Sequence, residues 1–194
     1  MRNVRLGIDI DGTVTCPTAL LPHINAQFGC NLVLDDIKEY DLTKAFDVDR
    51  ETFHSWYKSA EATIYSTSPT QQYAKTVLEK WKNRFELFYI SARGTEVYDS
   101  TLEWFLREAI PYDHIELVGS HNKIETAKKF NVHAFFEDKH DNAVDLHEEL
   151  DIPVILFDTP YNRKPIPNGV IRVRDWNEAH HQIQQLFPLG EKVN

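Results

Sequence analysis

Six times along this chain a short apolar run ends in a polar or glycine-bearing turn and is followed by a stretch of helical period. The runs begin with Leu6-Gly7-Ile8, then Phe85 to Ile90, Ile115 to Val118, Ala134 to Phe136, Val154 to Phe157 and Val170 to Val173. Several of them are apolar nearly throughout. A strand exposed on one face alternates, whereas one buried on both faces does not, so the pattern predicts a parallel sheet covered by helices on either side. The expected fold class is therefore α/β, with Val170 to Val173 as an edge strand.

The helices are read from apolar spacing and from their stops. Tyr73, Val77, Leu78 and Trp81 continue a helix opened by Ser68-Pro69, with Ser at the N-cap and Pro in the first turn. Thr95 starts another, with Tyr98, Leu102, Phe105 and Leu106 facing inward. Lys123 to Phe130 and Asn142 to Leu150 follow, and Asp175 caps a last helix with Glu178 three residues on. The tail after Pro188 is expected to be loose.

Between the first strand and this regular alternation lies a different stretch. Pro17 to Phe28 has helical spacing with Gly29 as its stop, Asp35 and Asp36 open a short turn towards Tyr40, and Asp49 caps Arg50 to Ala60. No buried strand is legible there. The chain divides into a discontinuous core, residues 1–15 and 76–194, and a helical insertion, residues 16–75.

In open parallel sheets, ligands bind beyond the carboxyl ends of the strands. Those ends carry the chemistry here. Asp9 and Asp11 end the first run, Ser91, Ala92 and Arg93 the second, and Glu137-Asp138 the fourth, while Lys123 stands at a helix start after Gly119. Residues two apart on a strand share a face, so Asp9 and Asp11 converge if the strand is still extended there. Like charges about 4 Å apart repel by roughly 4 kcal/mol at an effective dielectric near 20. Such a pair calls for a metal, a proton or a phosphate-processing role.

Bulk properties narrow the partners. A formal charge of −9 argues against binding a nucleic-acid polymer, which relies on positive fields. The start, Met1 to Arg5, lacks a signal peptide's apolar region, and no apolar run nears the ~20 residues of a membrane span. Cys16 and Cys30 make neither a disulfide framework nor a tetrathiolate site. A cytoplasmic protein is expected.

The ordered set Asp9-Ile10-Asp11-Gly12-Thr13-Val14, Ser91-Ala92-Arg93, Lys123 and Phe136-Glu137-Asp138 resembles the four motifs of haloacid dehalogenase superfamily phosphatases. The resemblance implies a Rossmannoid three-layer α/β/α core, with residues 16–75 as a helical cap of the C1 type. It implies Asp9 as nucleophile, forming an aspartyl-phosphate, and Asp11 as general acid and base. Phosphate binding falls to Gly12, Thr13, Ser91, Ala92, Arg93 and Lys123, Arg93 having as its other reading a pair with acids of the next helix. Mg²⁺ falls to Asp9, the Asp11 carbonyl and Asp138, with Glu137 and Asp141 as neighbours of the metal site.

The turn Thr159-Pro160-Tyr161-Asn162-Arg163 further resembles the 5′(3′)-deoxyribonucleotidase-like branch. A (deoxy)nucleoside monophosphate is the leading substrate, beside a sugar phosphatase, a phosphomutase or a binding protein without turnover. Trp56 and Tyr65 are candidate base-stacking residues. Other chemistries fit less well. Gly119 to Lys123 lacks the Walker glycine pattern. His140 and His147 lie about 10 Å apart on a helix, too far for one zinc, and the adjacent His180 and His181 are expected in solvent.

Overall fold

The computed structural model describes residues 4–120 and 122–188, so the expected loose tail and the first three residues lie outside the described part. Six strands form one sheet: β1 (Arg5–Ile8), β2 (Glu86–Ser91), β3 (His114–Leu117), β4 (Ala134–Glu137), β5 (Val154–Phe157) and β6 (Val170–Val173). Their order is β3-β2-β1-β4-β5-β6, every pair is parallel, and β6 is at the edge as expected. Among the described residues there are seven α-helices: α1 (Leu21–Phe28), α2 (Arg50–Thr67), α3 (Ala74–Trp81), α4 (Tyr98–Glu108), α5 (Ile124–Lys129), α6 (His140–Leu150) and α7 (Trp176–Leu186).

Strand side chains alternate between two cores, as a period of two dictates. Leu6, Ile8, Leu87, Tyr89, Phe136, Ile155 and Phe157 face a cluster shared with Trp81 of α3, Trp104 and Phe105 of α4 and Trp176 of α7. Ile90, Phe135, Val154 and Leu156 face the other cluster, with Ala127 of α5 and Ala143 and Leu146 of α6. The sheet is thus sandwiched between helical layers. Burying a side chain of this size contributes about 1.5–3 kcal/mol relative to exposure, which explains why the core strands tolerate so little polarity.

Local expectations fail where tertiary contacts compete. Ser68-Pro69 does not open α3. Ser68 instead ends α2, its hydroxyl donating to the Ile64 carbonyl at 2.8 Å, and α3 begins only after Tyr73 at a left-handed φ of 67°. The intervening backbone is extended because it pairs with the end of the first motif. Cys16 N–H donates to the Pro69 carbonyl at 2.8 Å, Gln71 N–H donates to Val14 at 2.7 Å, and Thr15 and Thr70 form an antiparallel bridge.

The other differences concern extent and facing. α2 continues beyond Ala60 to Thr67, and the Asp35–Asp36 turn is a single 3₁₀ turn that stops before Tyr40. Residues before Leu21 form turns, while Gly29 stops α1 in a left-handed conformation as expected. In α4, Tyr98 and Leu106 face solvent; Thr101, Trp104 and Phe105 take the buried stripe. The indole of Trp104 reaches across to donate to the Ser68 carbonyl at 2.8 Å, which fixes the helix's rotation. His180 is half-buried rather than exposed and accepts the Trp81 indole N–H at 2.8 Å.

Candidate active site

β1 and β4 sit side by side where the strand order reverses, the crevice that open α/β sheets use for ligands. Asp9 N–H donates to the Phe136 carbonyl at 2.9 Å, extending the β1–β4 pairing by one residue and setting Asp9 beside Glu137 and Asp138. The chain then turns sharply. Val14 and Thr15 both donate to the Ile10 carbonyl at 2.9 Å, and Gly12 takes a φ of +75°. Only glycine enters that region without steric cost. A Cβ there would also collide with the Asp138 carboxylate, so the turn and the second strand end fit only around a bare backbone.

Carboxyl oxygens of Asp9, Glu137 and Asp138 lie within 4.8 Å of one another, and all three residues are buried. Lys123, the residue preceding α5, is buried beneath them with Nζ 2.6 Å from Asp9 Oδ1 and 2.7 Å from Glu137 Oε1. Glu137 is saturated. Asn142 also donates to Oε1, and the N–H groups of Asp138 and Lys139 donate to Oε2 at 2.9 Å. It therefore positions Lys123, leaving Asp9 and Asp138 as the carboxylates facing the cleft.

The electrostatics follow from this packing. Burial, with the repulsion of Glu137 and Asp11 and against the pull of Lys123, pushes the Asp9 carboxyl up to about 7. Burial and the charges of Glu137 and Asp9 push Asp138 well above its usual value. For Glu137, burial opposes ionisation but the Lys123 ammonium wins and holds its carboxyl below the usual range. Lys123 is itself raised, burial being outweighed by Asp9 and Glu137. Negative charge is concentrated here beyond what one ammonium neutralises.

Ser91 ends β2 at the same sheet edge, buried, and its Oγ accepts the Arg93 N–H at 3.2 Å while its own proton stays available to donate. Ala92 and Gly12 line the cleft beside it. Thr13 lies below the floor, fully buried, with its carbonyl accepting the Trp176 indole N–H at 3.0 Å. The side-chain hydrogen bonds of Arg93 go to Asp11 and Thr101 rather than to acids of the next helix. Its guanidinium grips Asp11 through Nε and Nη2 at 2.9 and 2.8 Å. Asp141, expected near the metal site, is on the surface with His140 and Lys164, its side chain 64% exposed.

Sequence reasoning missed the support behind Asp138. Tyr161 donates its hydroxyl to Asp138 Oδ2 at 2.5 Å, and Asn162 Nδ2 donates to the Asp138 carbonyl at 2.6 Å. The turn Thr159–Arg163 is legible as a motif, but nothing local announces that it reaches a residue more than twenty positions earlier.

The cleft above these residues has a volume of about 690 Å³. Its outer wall comes from the helical segment, with Tyr40, Phe53, Tyr57, Lys58, Glu61 and Tyr65 among the lining residues. Tyr57 and Tyr65 join hydroxyls at 2.7 Å. Trp56, a candidate for stacking, instead packs edge-on against Phe28 with Phe53 alongside, inside the segment's own aromatic core.

Comparison with known proteins agrees with this geometry. The profile of the family described as "5′ nucleotidase, deoxy (Pyrimidine), cytosolic type C protein" matches residues 2–187. A protein of Halalkalibacterium halodurans, BH1399, is 49% identical over 181 residues, 93% of each chain. YqfW of Bacillus subtilis is 47% identical, covering 93% of this chain and 98% of its own; both carry the name "putative nucleotidase". Among solved structures, a haloacid dehalogenase-like hydrolase from Streptococcus pneumoniae superposes with a TM-score of 0.66 at 11% identity, covering 92% of this chain and 98% of that one, a likeness of fold.

Proposed function

Because this chain belongs to the cytosolic type C 5′-nucleotidase family, on a haloacid dehalogenase-type fold, we propose that it is a Mg²⁺-dependent phosphomonoesterase that hydrolyses (deoxy)nucleoside monophosphates through an aspartyl-phosphate on Asp9. The observation that carries the reading is Asp9 itself. A buried carboxylate touching Lys123, flanked by Asp138 and opening on a cleft of about 690 Å³, is built to meet an anion rather than to end a strand. The free thiols of Cys16 and Cys30 suit a reducing cytoplasm.

The site fits a hard divalent cation. Its donors are all oxygen, as Mg²⁺ prefers, and the buried carboxylates carry repulsion that Lys123 alone does not relieve. Asp9, the Asp11 carbonyl and Asp138 would hold it, with Glu137 supporting from behind. When bound, Mg²⁺ supplies positive charge that offsets the phosphoryl oxygens.

Asp9 attacks phosphorus, forming a new O–P bond as the bond to the nucleoside oxygen breaks. Asp11 protonates that leaving oxygen, then takes a proton from the water that cleaves the aspartyl-phosphate and frees inorganic phosphate. The Lys123 ammonium, the Ser91 hydroxyl and the Ala92 N–H stabilise the transferring group's charge, while the Gly12 N–H is spent on the Thr15 hydroxyl at 3.2 Å and holds the turn. Residues 16–75 act as the cap. Phe53, Tyr57 and Tyr65 give the base an aromatic wall.

The decisive measurement is phosphate release across nucleotides and sugar phosphates with and without Mg²⁺. Nucleoside monophosphates are expected to lead, and Asp9→Asn to abolish turnover. Turnover in Asp9→Asn equal to the parent's would overturn the mechanism. Sugar phosphates outrunning nucleotides, with Tyr65→Ala silent on nucleotides, would overturn the substrate.

A further inference from the structure

We propose that Arg93 is a positioning residue: it fixes the carboxylate of Asp11 in the pose used for proton transfer, and Tyr65 of the helical segment braces it there. The inference rests on Asp11 serving as proton donor and acceptor. It starts from an asymmetry. The Arg93 side chain is entirely buried, while that of Asp11 is 43% exposed at the rim of the cleft. A half-exposed aspartate on a turn would ordinarily exchange rotamers freely. Asp11 does not have that freedom, because both of its oxygens are engaged by one rigid fork, Nε to Oδ2 at 2.9 Å and Nη2 to Oδ1 at 2.8 Å.

The fork is itself fixed from the other sides. Its remaining nitrogen, Nη1, donates to Thr101 Oγ1 of α4 at 3.0 Å. Its face lies 3.8 Å from the centre of the Tyr65 ring, a cation–π contact. The Arg93 carbonyl accepts Gly119 N–H at 2.9 Å, so the backbone is tied to the loop after β3 as well. Asp11 is therefore placed by a planar group held by α4 on one edge and by α2 on one face. Tyr65 is joined to Tyr57 by their hydroxyls, and both line the cleft. The seat of the helical segment is thus transmitted through two contacts to the proton-handling carboxylate. Lysine cannot replace this geometry, having a point charge and no fork.

Leaving groups separate positioning from phosphate binding. When the Asp9–phosphorus bond forms and the ester bond breaks, a nucleoside alkoxide needs the Asp11 proton, whereas 4-nitrophenolate departs as a stable anion. kcat/KM reports this first transfer. Arg93→Lys should lower kcat/KM for a nucleoside 5′-monophosphate by about 10- to 100-fold and that for 4-nitrophenyl phosphate by less than about 3-fold. The inhibition constant of inorganic phosphate should stay unchanged. In an Asp11→Asn background Arg93→Lys should cost nothing further on the nucleotide, since residues acting as a unit are not additive.

Equal losses on both esters with weakened phosphate inhibition would make Arg93 a phosphate ligand and overturn the proposal, as would full additivity with Asp11→Asn. If circular dichroism shows that Arg93→Lys does not fold, Thr101→Val, which loosens the guanidinium without removing it and lies outside the cleft lining, must show the same nucleotide-selective loss or the proposal falls. Absence of turnover by the parent on either ester would instead overturn the phosphatase reading on which this rests.

Discussion

Glu137 accepts the ammonium of Lys123 at 2.7 Å, and neither side chain touches solvent. Lys123 keeps Asp9 as a partner without Glu137, but the Asn142 amide and the Asp138 and Lys139 N–H groups lose their acceptor, and a buried donor left unsatisfied costs about 1–3 kcal/mol. Glu137→Ala should therefore lower stability by at least about 1–3 kcal/mol, measured by urea denaturation. Lys123 would then lean on Asp9 alone, and phosphate release should fall at least about tenfold. Parent-like stability would show that Glu137 is dispensable.

Gly12 combines a φ of +75° with contact against the Asp138 carboxylate. Gly12→Ala pays for both the strained backbone, about 1–2 kcal/mol, and the displacement of Asp138. Mg²⁺ affinity should drop, and turnover with it. Isothermal titration and a steady-state assay check this, and unchanged Mg²⁺ binding would mean that Asp138 has room to move.

Metal removal should act on stability as well as on rate. A cation bound only by the folded state stabilises it by about 2.7 kcal/mol at a hundred times its dissociation constant. Chelation with EDTA should abolish turnover and lower Tm, and added Mg²⁺ should restore both. In Asp138→Asn the Mg²⁺-dependent rise in Tm should vanish.

His180 provides a pH signature away from the site. Its ring accepts the Trp81 indole N–H, which only the unprotonated nitrogen can do, and burial with nearby Lys80, His181 and Arg84 holds its pKa below 6.5. Below that value the unfolded chain binds more protons than the folded one. The contribution is complete above about 6.5 and is lost as pH falls towards the depressed value. Denaturation at pH 7.5 and 5.5 should show a smaller difference in His180→Phe than in the parent. An identical difference would remove His180 as a contributor; His133, shifted the same way by burial, keeps its own share.

The sheet and the edge that carries the candidate site were legible because both rest on local pattern. Continuous apolar runs announced buried strands, and Asp9, Ser91 and Asp138 line one cleft at their ends, with Lys123 paired to Asp9 there. Partnership was not legible. Arg93 follows Ser91 by two residues, yet its partner Asp11 lies 82 positions away, a pairing no spacing reveals. Periodicity also names a face without naming what faces it, so Leu106 was expected inside and Trp104 took the place. Ser68-Pro69 has a strong helix-opening signal, and the backbone pairing of Pro69 and Gln71 with the first motif overrode it.

That pairing has a mechanical consequence. The chain departs from Val14-Thr15-Cys16 and comes home along Pro69-Thr70-Gln71, and the two passages are stitched by backbone hydrogen bonds at 2.8 and 2.7 Å. Everything between them leaves and returns through these paired passages, a few residues beyond Asp9 and Asp11, and it also rests on the core where Tyr65 stacks on Arg93 and Lys58 meets Glu96. Because the two passages are closed on each other, the register of β1 against β2 and β4 does not depend on the length of chain between them.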